Sequence, residues 1–509
     1  MTVVRDLMPV LAPAARERLG MRVGEALRRA RAGGEAVVAA VTLPAAPGVD
    51  PTAVVAASRR AGEPWFALEQ PEREGFALAT LGSVVDIEAH GPGRFAEVAQ
   101  TWRRISATAV TDPPEAHDAA GASLGERPRR EAVFPGGRHG REPGSRGGPP
   151  PGAGLIAVGG FAFAPDGGRS PAWAGFPPAA LTVPEVSLAR RGGEVRMTLA
   201  ALVAPDDTPD GVLARVESRV AQLRDAPLPL LDPAPAERAR VTGAMPPEHY
   251  VSAVARAVER IRAGGVDKVV LAREVAVHAG ADHDPAAILG VLREAFPGCY
   301  VFGVGRGDAA FVAASPELLV RREGQRASTV ALAGSTRRSA DPAVDDHLGE
   351  QLLRSAKDRE EQAIVARRIE RTLRERSVWV TAPEEPVLVR MANIQHLATP
   401  IRAQLAEPVG ALDLAGLLHP TPAVGAEPRE ATRMIPELEG MDRGWYAGAI
   451  GWTDAAEDGE FCVGLRCALL RGPVARLYAG VGVVRDSDPT AELAETEMKL
   501  EALLPVLAG

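Results

Sequence analysis

The stretch Tyr446-Ala-Gly-Ala-Ile-Gly-Trp-Thr453, with Phe461-Cys-Val-Gly-Leu-Arg-Cys-Ala-Leu-Leu470 and Ala475-Arg-Leu-Tyr-Ala-Gly-Val-Gly-Val-Val484 behind it, reads as three strands separated by short polar breaks. Such breaks join antiparallel neighbours, since a parallel pair needs a crossover of about a dozen residues. A short helix over 428–438 precedes them and a last helix closes the chain. Upstream, a helix starts at Pro246-Pro-Glu-His-Tyr and ends at Gly264-Gly. It is followed by a strand at 266–277, a helix at 285–296 and strands at 300–304, 310–321 and 327–333. A long helix at 345–374 then leads to strands near Val378 and at 387–399. The pattern is α+β, with large and mainly antiparallel sheets.

The first half is less regular. Apolar runs at 36–43 and 75–82 and a helix at 94–106 are followed, over 111–154, by a segment rich in Pro, Gly, Arg and Glu. That composition buries too little apolar surface to order itself, so a disordered insertion is expected there. The apolar strand Leu155-Ile-Ala-Val-Gly-Gly-Phe-Ala-Phe163 resumes at once, which places the insertion within one sheet, and Asp232-Pro-Ala-Pro-Ala marks a linker near the middle. The expected division is 1–244 and 245–509.

Composition narrows the function. Hydrophobic content of 46% and charged content of 24% are those of a globular protein. A net charge of -8 offers no general basic face for nucleic acid, and an anionic substrate would need local cations or a metal. Cys299, Cys462 and Cys467 lack CxxC spacing and cannot all pair, as expected of a reducing compartment. No run is long enough to span a bilayer and the N-terminus does not read as a leader, so a cytoplasmic location is expected.

Two helices carry paired carboxylates. In Ala491-Glu-Leu-Ala-Glu-Thr-Glu-Met-Lys-Leu500, Glu492, Glu495 and Lys499 share one arc beside the apolar stripe of Leu493, Leu500 and Leu504. Asp358 and Glu361, three apart, repeat the device. Facing each other, the pairs would offer oxygen ligands suited to Mg2+; the competing reading is a solvated helix with local ion pairs.

Taken in order, Val266-Asp-Lys-Val-Val-Leu-Ala-Arg, Ala314-Ser-Pro-Glu-Leu-Leu-Val, Leu332-Ala-Gly-Ser-Thr-Arg-Arg338, Ala356-Lys-Asp-Arg-Glu-Glu361, Ile394-Gln-His-Leu-Ala-Thr-Pro400, Leu418-His-Pro-Thr-Pro-Ala-Val424, Asp442-Arg-Gly-Trp-Tyr-Ala-Gly448 and Leu477-Tyr-Ala-Gly-Val-Gly482 resemble the chorismate-utilising enzymes, and isochorismate synthase within them. The resemblance runs from about Met245 to Leu507 and is loose before that. It implies the anthranilate synthase component I (ADC synthase) fold, two packed, mainly antiparallel sheets flanked by helices around one deep site. It implies Lys268 as general base and Glu317 as general acid. Glu361 and Glu495 would be Mg2+ ligands, with Asp358 and Glu492 holding metal-bound waters. Tyr446, Arg466, Gly480 and Gly482 would hold the substrate carboxylates with Lys499 nearby, His396 would lie near the reacting hydroxyl, and Gly334 and Thr399 would belong to the same pocket.

A lysine acts as a base near neutral pH only when burial or neighbouring cations lower its pKa, and Val266, Val269, Val270 and Leu271 flank Lys268. A strand-edge lysine in solvent is the competing reading, as a core histidine is for His396 and a strand-packing tyrosine for Tyr446. One departure is Gln362, where the metal-helix motif commonly has His. Ammonia-using relatives usually lack the lysine, so Lys268 implies water as nucleophile and no glutamine amidotransferase partner. The implied reaction converts chorismate to isochorismate, for menaquinone or siderophore synthesis, by a monomer or homodimer. Salicylate synthase, which goes on to eliminate pyruvate, and a catalytically silent chorismate-binding partner are the alternatives.

Overall fold

The computed structural model describes residues 5–7, 11–112, 149–232 and 238–509. Most of the Pro/Gly-rich segment expected as an insertion, and the linker after Asp232, lie outside the described residues. Two large sheets dominate, one of 12 strands and one of 10, and every pairing between named strands among the described residues is antiparallel. Period-two alternation builds two cores from them. Phe66, Phe302 and Phe311 of the larger sheet meet Phe161, Val320 and Phe461 of the smaller in one cluster. Ala67, Val301 and Val312, on the opposite face of the larger sheet, pack with residues of the helices Pro13–Gly33, Pro209–Val220 and Pro285–Ala295.

Both halves of the chain feed both sheets. Strand Gly62–Gln70 pairs with Tyr300–Gly307 in the larger sheet, and Ile156–Phe161 with Ala449–Asp454 in the smaller. The expected strands at 300–304 and 475–484 appear as Tyr300–Gly307 and Val474–Val483.

Several expected elements prove to be two each, among them the strand read over 387–399, which is Val387–Arg390 and Ile394–Leu405. The strand read over 310–321 is Ala309–Ser315 in the larger sheet and Leu318–Glu323 in the smaller, with Pro316 and Glu317 at the crossing. The strand read over 461–470 is Gly459–Val463 in the smaller sheet and Cys467–Arg471 in the larger, crossing at Gly464, Leu465 and Arg466. The helix read over 345–374 is Pro342–Arg354 and Ala356–Arg374, parted at Ser355, whose side chain accepts from the amide of Asp358 and caps the second helix. The helix read over 428–438 is a 3-10 turn, Arg429–Met434, running into a helix at Ile435–Glu439.

Candidate active site

Strand Lys268–His278 supplies one wall. It pairs with Val474–Val483 so that Val270 faces Gly482 and Ala272 faces Gly480. The glycines are spatially required: a Cβ on Gly482 would collide with the Glu361 carboxylate and stand 2.7 Å from Lys268 Cε, and one on Gly480 would stand 2.7 Å from the Tyr446 hydroxyl. Lys268 is 0% exposed, with Nζ 2.9 Å from Glu361 Oε1 but no well-directed hydrogen bond to any described residue.

The smaller sheet supplies the opposite wall through Arg326–Arg337 and its neighbour Ile394–Leu405. Their register shifts between Ala333 and Ser335, at Gly334, whose φ of 68° is one that glycine adopts without strain. The freed Gly334 carbonyl lies 3.1 Å from His396 Nδ1. A carbonyl only accepts, so Nδ1 carries the proton and Nε2 is turned to Arg466 Nη2, 3.3 Å away. Burial, then Arg466 and Lys499, push His396 down to about 3, which keeps the ring neutral. Burial also lowers Arg466, whose φ is 47°.

Glu317 lies where the chain passes between sheets, 4% exposed, its backbone amide donating to Ser315 Oγ. Burial pushes its carboxyl up to about 8 against the opposing pull of Lys268 and Lys499. It is therefore largely protonated at neutral pH and able to donate.

The carboxylate helices Ala356–Arg374 and Pro489–Leu500 close the site from the two sheets. Lys499 Nζ stands 2.9 Å from Glu495 Oε1 and donates to the Gly480 carbonyl at 3.0 Å. Ser335 Oγ donates to Glu495 Oε1 at 2.6 Å, and Glu495 is held below the ordinary carboxylate range, burial being outweighed by Lys499 and Ser335. Lys357 Nζ stands 2.5 Å from Glu492 Oε1. Burial raises Glu492 and Asp358, and Asp358 is hydrogen-bonded by the Ser355 hydroxyl. Among the described residues no three His, Cys, Asp or Glu side chains gather around one point as a metal cluster. Mg2+ needs only one or two carboxylates beside water and substrate, so an oxygen-only set from two helices still suits it in chemistry. That the cluster draws cations is visible in Lys357, which Glu492, Glu495 and Glu361 hold above its ordinary value against burial.

The cavity itself is small, about 70 Å³. Glu317, Gly334, Glu361, His396, Tyr446, Arg466, Gly480, Gly482, Glu495 and Lys499 line it. Lys268, Asp358 and Glu492 do not line it; Lys268 reaches it only through Glu361, and Glu492 is held by Lys357. Thr399 is not brought to it: its hydroxyl receives Gln362 Nε2 at 3.0 Å, while the same amide donates to the Ala331 carbonyl at 2.9 Å. Gln362 thus ties the carboxylate helix to the sheet.

Ser335 and Lys357 were not singled out from the sequence, although both lie in quoted motifs. One signal could have found the second. Of 58 basic residues only three are lysine, Lys268, Lys357 and Lys499, and all three stand here, each against a different carboxylate.

A family model described as "Chorismate binding enzyme" matches residues 145–508, reaching about a hundred residues further towards the N-terminus than the motifs do. A Pseudomonas aeruginosa protein named salicylate biosynthesis isochorismate synthase is 36% identical over 463 residues, 91% of this chain and 88% of that one. The Bacillus subtilis isochorismate synthase MenF is 34% identical over 70% of this chain and 75% of its own length. The solved structure of the menaquinone-specific isochorismate synthase MenF of Escherichia coli superposes with a TM-score of 0.72 at 26% identity, covering 96% of this chain and 100% of that one.

Proposed function

The chain belongs to the chorismate-binding enzymes, as an isomerase of the isochorismate synthase kind, and we propose that it adds water at C2 of chorismate with departure of the C4 hydroxyl, in a Mg2+-dependent reaction that releases isochorismate. The carrying observation is one small cavity lined by a protonated carboxyl, Glu317, and by Glu361, against which the fully buried Lys268 is held. Lys268 takes a proton from water as the new C2–O bond forms; Glu317 delivers one to the C4 oxygen as its bond breaks and the ring double bonds shift. Balanced in this way, the step consumes and returns one water.

The neutral His396 holds Arg466 from one side, and Arg466 offers its fork to a substrate carboxylate beside Tyr446 and the backbone of Gly480 and Gly482. Glu361 and Glu495 would hold Mg2+, with Asp358 and Glu492 behind them receiving its waters. When bound, the metal neutralises the ring carboxylate so that charge redistribution in the ring is tolerated. Relatives named for menaquinone and for salicylate biosynthesis support isochorismate as the shared product.

Purified protein incubated with chorismate and Mg2+, without and then with ammonia, is expected to yield isochorismate in equilibrium with chorismate. Salicylate with pyruvate would move the chain to the lyase branch. Anthranilate formed only with ammonia would overturn the role given to Lys268. Mg2+ is expected to raise the melting temperature of the wild type and not of Glu495→Ala, read by calorimetry without substrate.

A further inference from the structure

The larger cavity lies elsewhere, about 850 Å³, between the start of helix Arg94–Thr108, helix Ala411–Leu418, the turn Arg429–Met434 and the loop after Phe163. Its lining combines apolar side chains, Phe95, Phe163, Val409 and Leu417, with the cations Arg94, Arg376, Arg429 and Arg433, and Arg94 lies over the Phe95 ring at 5.0 Å from its centre. None of these arginines has a carboxylate within ion-pair distance among the described residues. The acids nearby are committed or peripheral: Asp413 pairs with Arg103, Asp166 lies 3.3 Å from Arg169, and Glu407 is exposed.

Arg94 is the telling residue. It is 4% exposed, yet its guanidinium gives only Nη2 to the protein, to the carbonyls of Ala162 (2.9 Å) and Phe163 (3.4 Å), and leaves Nε buried without a partner. The Thr432 hydroxyl of this lining is likewise buried and unpartnered, whereas His419, whose Nε2 donates to the Ala447 carbonyl at 3.1 Å, leaves Nδ1 as a buried acceptor. Burial and Arg429 push Arg94 down to about 10 against the opposing pull of Asp166, and burial with Arg368 lowers Arg429 against that of Glu430. Helix Arg94–Thr108 opens on the cavity with no side chain capping its first turn. A buried cation without an ion-pair partner, as Arg94 is, is costly to a fold, and an anion arriving beside it would offset that cost.

The cavity also shares walls with the chorismate pocket. His419 and Pro420 face it, while Ala423 and Val424, in the same loop, face the pocket. Arg443 lies between Phe163 of the cavity, 4.2 Å from its ring centre, and Tyr446 of the pocket, 5.5 Å away, and donates to the carbonyls of Val424 and Val270.

We propose that this cavity is a second ligand site, for a small organic anion with a flat apolar body, and that its occupancy is transmitted to the chorismate pocket through the 418–424 loop and Arg443. The binding half stands apart from the proposed reaction; the coupling half rests on it.

The probe is 2-naphthoate, an apolar bicycle with one carboxylate, titrated calorimetrically into the full chain, with the neutral 2-naphthamide as control. One site is expected, undisturbed by excess chorismate and at least about tenfold weaker for the amide and for Arg429→Met, since a charge-assisted hydrogen bond is lost. Because Arg429 also braces the His419 carbonyl, Val409→Trp serves as the second variant, filling the cavity with apolar bulk. Displacement by chorismate, equal binding of the amide, or undiminished binding to both variants would overturn the site. Chorismate turnover is expected to change in kcat or KM with 2-naphthoate in the wild type and to be unaffected in Val409→Trp. Binding without such a change would overturn the coupling, whereas no isochorismate under any condition would overturn the proposed reaction and leave the binding result standing.

Discussion

In the proposed reaction Glu317 donates a proton and Lys268 accepts one. With burial raising Glu317 from 4.5 to about 8, the folded chain binds that proton more tightly than the unfolded chain. Its stabilising contribution is therefore complete below about pH 4.5 and is lost as pH rises through about 8. Glu317→Gln is expected to flatten that part of the stability profile, measured by urea unfolding across the same range, and to cut turnover by about 10²–10⁴. In the wild type, turnover is expected to decline above about pH 8 as the donor is lost. Lys268→Ala is expected to cost a similar factor in turnover while chorismate binding, followed by calorimetry, persists; retained turnover would remove Lys268 from the mechanism.

At the scale of elements, the places where sequence and structure part company are the places where the site is made. Period-two alternation announces a strand but not its sheet, so 310–321 and 461–470 each read as one run although the chain changes sheets within them. Those crossings aim Glu317 and Arg466 into the cavity. The break at Ser355 was hidden likewise, since 345–374 keeps helical composition throughout. What was legible was what local pattern encodes: the existence of strands and helices, and carboxylates spaced to one helix face. What was not legible was partnership across the fold, such as Ser335 with Glu495 or Thr399 with Gln362, because nothing in a single sequence records it. Ser355→Ala is expected to cost about 1 kcal/mol of stability through loss of the cap. It also removes the hydroxyl that holds Asp358, so a weaker apparent affinity for Mg2+ in calorimetric titration is expected alongside the lower unfolding midpoint.

On the scale of the molecule, the two halves of the chain are interleaved. Removing 1–244 would strip Tyr300–Gly307 of Gly62–Gln70 and Ala449–Asp454 of Ile156–Phe161, exposing two long apolar strand edges. Residues 245–509 alone are expected to aggregate or to lack near-ultraviolet circular dichroism; a soluble fragment with native signal would show that the resemblance ending near Met245 marks a folding boundary. The scarcity of lysine has another use at this scale. Since the chain's three lysines all stand against the site's carboxylates, isotope labelling of the lysine Nζ atoms alone would turn a 53.3 kDa protein into a three-resonance spectrum. Each signal would report on one ammonium, so metal, substrate and second-site ligand could be followed as separate displacements of named peaks, with no other part of the molecule in view.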